Sequence, residues 1–158
     1  MKKLLLVSAL FFSFSCKDRE DNQRKEAANW ETIQIITRTQ KIIIYNYLDT
    51  ATFEQKIYKK DTTKFPGAYE LKGVESKNFN LSRLERDSLR IYTYDIITNP
   101  HFTDKNASDY AGYVLIKLTD RNTTLMCEYK SVGEWSEVSD LTKKIYSLLK
   151  AKIPIASQ

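Results

Sequence analysis

The sequence predicts an α+β domain, a mostly antiparallel sheet with two helices, about 82–97 and 137–152, packed on one of its faces. Three observations lead there. Apolar residues alternate with a period of two through 31–39, 53–59 and 112–132, which is the spacing of half-buried strands. The spacing becomes helical after Ser82 and again after Ser136. The resulting order is strands, helix, hairpin, helix, with connections too short for repeated βαβ crossovers, which disfavours a doubly wound sheet.

The chain opens on a segment of another kind. Met1-Lys2-Lys3 is a positive start, residues 4–12 are apolar except for Ser8, and Ser13 and Ser15 lead into Cys16. A basic region, a short apolar run and small residues at a cleavage point make a secretory leader, residues 1–15. Nine residues at about 1.5 Å rise fall well short of a hydrocarbon core roughly 30 Å thick, so the run is an export address and not a permanent span.

A leader that ends on a cysteine resembles the lipobox of bacterial lipoproteins. Ser15 is the small residue that pattern has before its cysteine, while Ser13 stands where Leu, Val or Ile is usual and Phe14 where a small residue is. The resemblance implies that Cys16 is acylated, becomes the first residue of the mature chain, and anchors it in the bacterial outer membrane, on the periplasmic or the surface face. Lys17-Asp18-Arg19-Glu20-Asp21 is similar to the charged stretch that sends many Bacteroidota lipoproteins to the cell surface, with Arg19 interrupting the acidic run. Ser13-Phe14-Ser15 is also a small-x-small site for the ordinary signal peptidase, which would release a soluble protein beginning at Cys16.

Loss of the leader leaves 143 of the 158 residues, enough for one domain with one core. Lys2 and Lys3 go with it, so 23 basic residues face 20 acidic ones and the formal charge falls from +5 to +3. These charges are interspersed and form no stripe, which argues against nucleic acid as a partner. Four Gly and three Pro exclude a collagen-like or disordered chain, and ten Tyr and seven Phe supply the bulk that sheets and cores use. If Cys16 carries lipid, Cys127 is the remaining thiol and no internal disulfide is possible. If Cys16 is free, a bridge between the two stays open.

Residues 16–29 read as the lipidated cysteine and a charged tether, because eight of the ten residues 17–26 are charged and none is apolar. The globular domain is 30–158. In 31–39, Ile33, Ile35 and Thr37 fall on one side and Gln34, Ile36 and Arg38 on the other. Residues 41–48 (KIIIYNYL) follow so closely that they are its hairpin partner or a bent continuation. In 53–59, Phe53, Gln55, Ile57 and Lys59 oppose Glu54, Lys56 and Tyr58. Residues 60–73 contain Phe65-Pro66-Gly67, a turn in which Pro presets φ and Gly accepts a positive one, and are read as a loop with a short strand around 71–74.

Ser82-Arg83-Leu84-Glu85 matches the Ser-x-x-Glu capping box, and Leu84, Leu89, Ile91, Tyr92 and Ile96 share one half of the following helical wheel. Asn99-Pro100 ends that helix. Residues 101–110 are a polar loop. Residues 112–119 and 123–132 form a hairpin about Asp120-Arg121-Asn122, with Val114, Ile116 and Leu118 on one face and Leu125, Cys127 and Tyr129 together on the other strand. Gly133 breaks that strand. Ser136 is the expected cap of the last helix, Val138, Leu141, Ile145, Leu148 and Leu149 its apolar stripe, and Pro154 its stop.

The chemistry expected of this chain is sparse. One histidine and one available thiol supply no structural zinc site, and Asp104 and Asp109 lack EF-hand spacing, so no metal is expected. No P-loop or dinucleotide fingerprint is present, and no cofactor is expected. His101 beside Ser108 or Asp109, or with Cys127, is the nearest approach to a catalytic pair. Nothing nearby marks a nucleophile or an oxyanion hole, so His101 reads as an exposed turn residue and Cys127 as a small buried hydrophobe. Tyr58 and Phe65 interleave with lysine in 56–65, as in surfaces that stack on sugars or bases, though a half-buried sheet edge explains the pattern as well. Trp135 is expected to pack under the last helix. Asp49-Thr50-Ala51, Asp61-Thr62-Thr63 and Asp87-Ser88-Leu89 resemble the short Asp-Ser/Thr-x pattern of O-glycosylation in exported Bacteroidota proteins.

The expectation is a lipid-anchored envelope protein without catalysis, a binding module for a protein or glycan partner. An immunity-like or inhibitor-like role is one version. Its contact residues are expected in two loops, at Phe65 and Tyr69 and at His101, Phe102 and Tyr110. The alternatives are a small extracytoplasmic hydrolase or glycan-processing enzyme, and a structural subunit that would expose a contiguous apolar patch.

Overall fold

The computed structural model describes residues 30–60, 68–100, 112–132 and 134–157. Among these, six strands form one antiparallel sheet: β1 (Thr32–Thr37), β2 (Gln40–Tyr45), β3 (Thr50–Lys60), β4 (Tyr69–Asn80), β5 (Gly112–Asp120) and β6 (Thr123–Val132). Their order is β4-β3-β2-β1-β5-β6. Helix α1 (Arg83–Thr98) follows the β4 edge, and the chain then crosses to pair β5 with β1, so the first strand becomes central. A 3-10 turn (Trp135–Glu137) and helix α2 (Asp140–Lys150) close the chain. The broad α+β expectation is met.

Period-two sequence becomes one buried face because register aligns it. Ile33 stands opposite Ile44 and Leu118, and Ile35 opposite Ile42 and Ile116. Ile42 and Ile44 meet Phe53 and Ala51, and Val114 meets Tyr129. All these side chains are buried, in one cluster with Leu89 and Ile96 of α1 and Ile145 and Leu149 of α2. Each large aliphatic residue withdrawn from water contributes about 1.5–3 kcal/mol, which makes this cluster the main source of stability. Trp135 is fully buried and meets Tyr146 of α2 edge-on, 5.5 Å between ring centres, as expected of a residue packed under the last helix.

Four local expectations need correction. The short strand expected around 71–74 is part of a longer one that also takes in 69 and 70, read as loop: β4 runs twelve residues, and Phe79 alone among them is buried, so no apolar alternation announces its length. On α1, Leu84 and Ile91 point to solvent while Arg86 and Thr93 are buried, because the face turned to the core is Arg86, Leu89, Thr93 and Ile96. The cap of the last helix is Ser139, whose hydroxyl accepts from the Thr142 N–H while Thr142 Oγ1 accepts from the Ser139 N–H. Ser136 lies instead inside the 3-10 turn that buries Trp135 and leads to buried Val138. The helix accordingly spans 140–150 and ends four residues before Pro154. Leu125, expected with Cys127 and Tyr129 on the apolar side of β6, is exposed near the hairpin tip. The capping box at Ser82 stands as expected, with Ser82 N–H donating to Glu85 Oε2 at 2.7 Å.

Candidate functional site

β3 outruns its neighbour. Its ladder to β2 ends at Gln55, one further bond joins Lys56 N–H to Thr39 O at 2.8 Å, and residues 57–60 then pair with β4 alone. The two strands therefore continue past the sheet as a ribbon. Within it the register slips between Ile57 and Tyr58: Ile57 stands opposite Gly73 and Tyr58 opposite Leu71, which leaves Lys72 as an extra residue. Such a bulge changes which side chains share a face.

Cross-strand partners point the same way. Lys56 pairs with Val74, Tyr58 with Leu71 and Lys60 with Tyr69, so one face collects Tyr58, Tyr69, Leu71 and Val74. Without the extra residue, Val74 would fall opposite Leu71 and Tyr69. These four are 42%, 66%, 51% and 54% exposed. A contiguous exposed apolar stripe is a candidate interaction surface. Ribbon positions 56–60 and 69–74 carry four lysines and one glutamate, so the stripe is framed by positive charge. Along the free edge of β4 the bulge and the charges of Glu70 and Lys72 discourage addition of another strand, which makes the face the available surface.

Of the residues expected to contact a partner, Tyr69 takes its place in this stripe; Phe65, His101, Phe102 and Tyr110 lie outside the described residues, as does Cys16. Sequence reading missed Leu71 and Val74, since the bulge that unites them with Tyr69 has no pattern of its own. The signal that was legible is Tyr58, set by alternation on the side of Glu54 and Lys56.

Elsewhere the described residues assemble little reactive chemistry. Cys127 is half-buried opposite Ile116. Burial, and secondarily a hydrogen bond with Cys127, raise the Tyr129 phenol far above its ordinary range, so the phenol stays protonated. No group of three His, Cys, Asp or Glu among the described residues could hold a metal ion. No helix among them is long and apolar enough to cross a membrane. Thr50 of the first Asp-Thr triplet is exposed at the start of β3, Ser88 of the third donates its hydroxyl to Leu84 O within α1, and the second triplet lies outside the described residues. Comparison with protein-family models, with curated proteins and with solved structures gives no match.

Proposed function

We propose that this is an exported, lipid-anchored protein of the bacterial outer membrane that acts by binding, not by catalysis, and holds an acidic protein partner on the β3–β4 ribbon. Acylated Cys16 is its membrane attachment. No cofactor or nucleic acid enters the reading. In it, α1 and α2 together cover the Ile33 face of the sheet, and among the described residues the ribbon is the part that projects past it. The observation that carries the proposal is the stripe of Tyr58, Tyr69, Leu71 and Val74 collected by one bulge and framed by Lys56 and Lys60. Tyrosine and leucine on a rigid strand supply anchor area at small entropic cost, and the lysines favour an acidic surface over a neutral glycan.

The same stripe also fits a permanent subunit of an envelope complex, and the two readings differ in their response to salt. A partner steered by lysines dissociates as ionic strength rises, whereas a permanent apolar interface does not. The test is photo-cross-linking in intact cells from a probe at Leu71, with a probe at exposed Leu84 as control. The expected product is a discrete adduct with an acidic envelope protein from Leu71 alone, abolished by Lys56→Glu with Lys60→Glu. Equal adducts from both positions, adducts indifferent to the charge reversal, or an adduct with glycan only would overturn the reading.

A further inference from the structure

The entry to α1 is lined by arginine. Arg83, Arg86 and Arg90, at spacings of three and four, share a helix face and, with Asp87, form one wall of a pocket of about 400 Å³ whose other wall is Trp30 and Asn46. Asn46 Nδ2 donates to Trp30 O at 2.8 Å, which fixes that wall. Arg86 is already satisfied, its Nη1 donating to Asp49 Oδ1 at 2.6 Å and Leu81 O at 2.7 Å. Arg83 is exposed and only loosely paired, with Nε 3.9 Å from Asp87 Oδ2. Arg90 differs from both: its Nη1 is buried and meets no acceptor among the described residues.

An N–H buried without an acceptor is costly, and Arg90, which lines the pocket while its Nη1 lies out of reach of solvent, would gain from a ligand that accepts from the rest of its guanidinium. With Arg86 neutralised by Asp49 and Arg83 only loosely paired with Asp87, three guanidinium groups against two carboxylates leave an excess positive charge, which selects an anion. The planar fork of arginine matches tetrahedral or planar oxyanions, and phosphate best uses several forks at once. We infer that the pocket of Trp30, Asn46, Arg83, Arg86 and Arg90 is a phosphate-binding site. An apolar ligand would leave these donors desolvated and is excluded.

Position narrows the source. Thirteen residues separate Cys16 from Trp30, so full extension places the pocket no more than about 50 Å from the anchored cysteine. On the lipid-anchored reading above, on which this step rests, phosphates of the membrane surface lie within reach. A lipid headgroup and a soluble phosphate offer the same chemistry.

The test uses the full acylated chain reconstituted in phosphatidylcholine vesicles, with the fluorescence of Trp30 as readout and Trp30→Phe as its control. Inorganic phosphate is expected to change the signal saturably, chloride at equal ionic strength is not, and Arg90→Met should weaken the phosphate response at least tenfold. Arg83→Gln, at an exposed position, gives a second variant whose folding is not in question and should weaken it several-fold. A response to phosphatidic acid in the bilayer, competed by phosphate, identifies a headgroup site; a response to added phosphate alone identifies a soluble ligand. No saturable response, or one that Arg90→Met and Arg83→Gln leave unchanged, overturns the site. Phosphate binding by chain isolated from its own cells without acyl label on Cys16 would sink the anchor and leave the pocket standing.

Discussion

Arg86 Nη1 lies 2.6 Å from Asp49 Oδ1, joining an arginine side chain that is 10% exposed to a carboxylate that is 84% exposed. The pair ties the first turn of α1 to the start of β3, beside the backbone bond from Leu81 N–H to Asp49 O. Its two ends are unequal. Asp49→Ala leaves Arg86 its bond to Leu81 O and lets water reach the vacated side, so a loss of about 1 kcal/mol is expected in urea unfolding. Arg86→Ala removes a buried side chain and orphans the Leu81 carbonyl, and should cost about 3 kcal/mol. Equal costs for the two would contradict this asymmetry.

Gln40 closes the C-terminal segment onto the sheet. Its Oε1 accepts from Ala156 N–H at 2.7 Å, while its Nε2 donates to Gln55 Oε1 at 2.6 Å and to Pro154 O at 3.1 Å. Gln40→Leu preserves bulk but strips partners from one backbone N–H and one carbonyl. A loss of about 2–3 kcal/mol is expected, together with faster hydrogen exchange at Ala156 than at the core strands.

Glu85 links the start of α1 to the segment after α2. A hydrogen bond from Lys152, 2.9 Å away, and then one from the Ser82 backbone hold its carboxyl below the ordinary value of 4.5. A depressed folded-state value means that this stabilisation is present above pH 4.5 and disappears as pH falls through the lower folded value. Glu85→Gln should therefore lose about 1 kcal/mol at pH 7 and show a shallower loss of stability on acidification below pH 4.5. A parallel acid limb in the variant would show that Glu85 is not the group responsible.

Thr93 sits on the buried face of α1 with a hydroxyl that has no partner among the described residues. Replacement by Val keeps the shape and removes an unsatisfied polar group. Thr93→Val is expected to raise stability by about 1 kcal/mol, read as a higher denaturation midpoint at unchanged slope. A decrease of that size would mean that the hydroxyl has an acceptor.

The alternation of Ile33, Ile35 and Thr37, the Val114, Ile116 and Leu118 face, and the capping box at Ser82 were legible because each depends on residues a few positions apart. The buried side of α1 was harder to read. Apolar spacing pointed to Leu84 and Ile91, but the face turned to the core is that of Leu89 and Ile96 with Arg86 and Thr93, which leaves Leu84 and Ile91 in solvent. Ser136 looked like a cap until Trp135 needed burial, and the chain spends a 3-10 turn on that before Ser139 opens the helix.

The sequence by itself determined the α+β character and the pairing of the last two strands, both of which are written in local composition and period. Only the tertiary structure decided the rest. β4 has no apolar alternation and exists because β3 offers it a full ladder, and one bulge in that ladder makes a single stripe of Tyr58, Tyr69, Leu71 and Val74. The arginine pocket joins residues 30 and 46 to residues 83–90, and its unpaired donor arises from where the chain stops supplying acceptors. Surfaces and pockets of this kind are set by long-range register and packing, which short-range spacing does not encode.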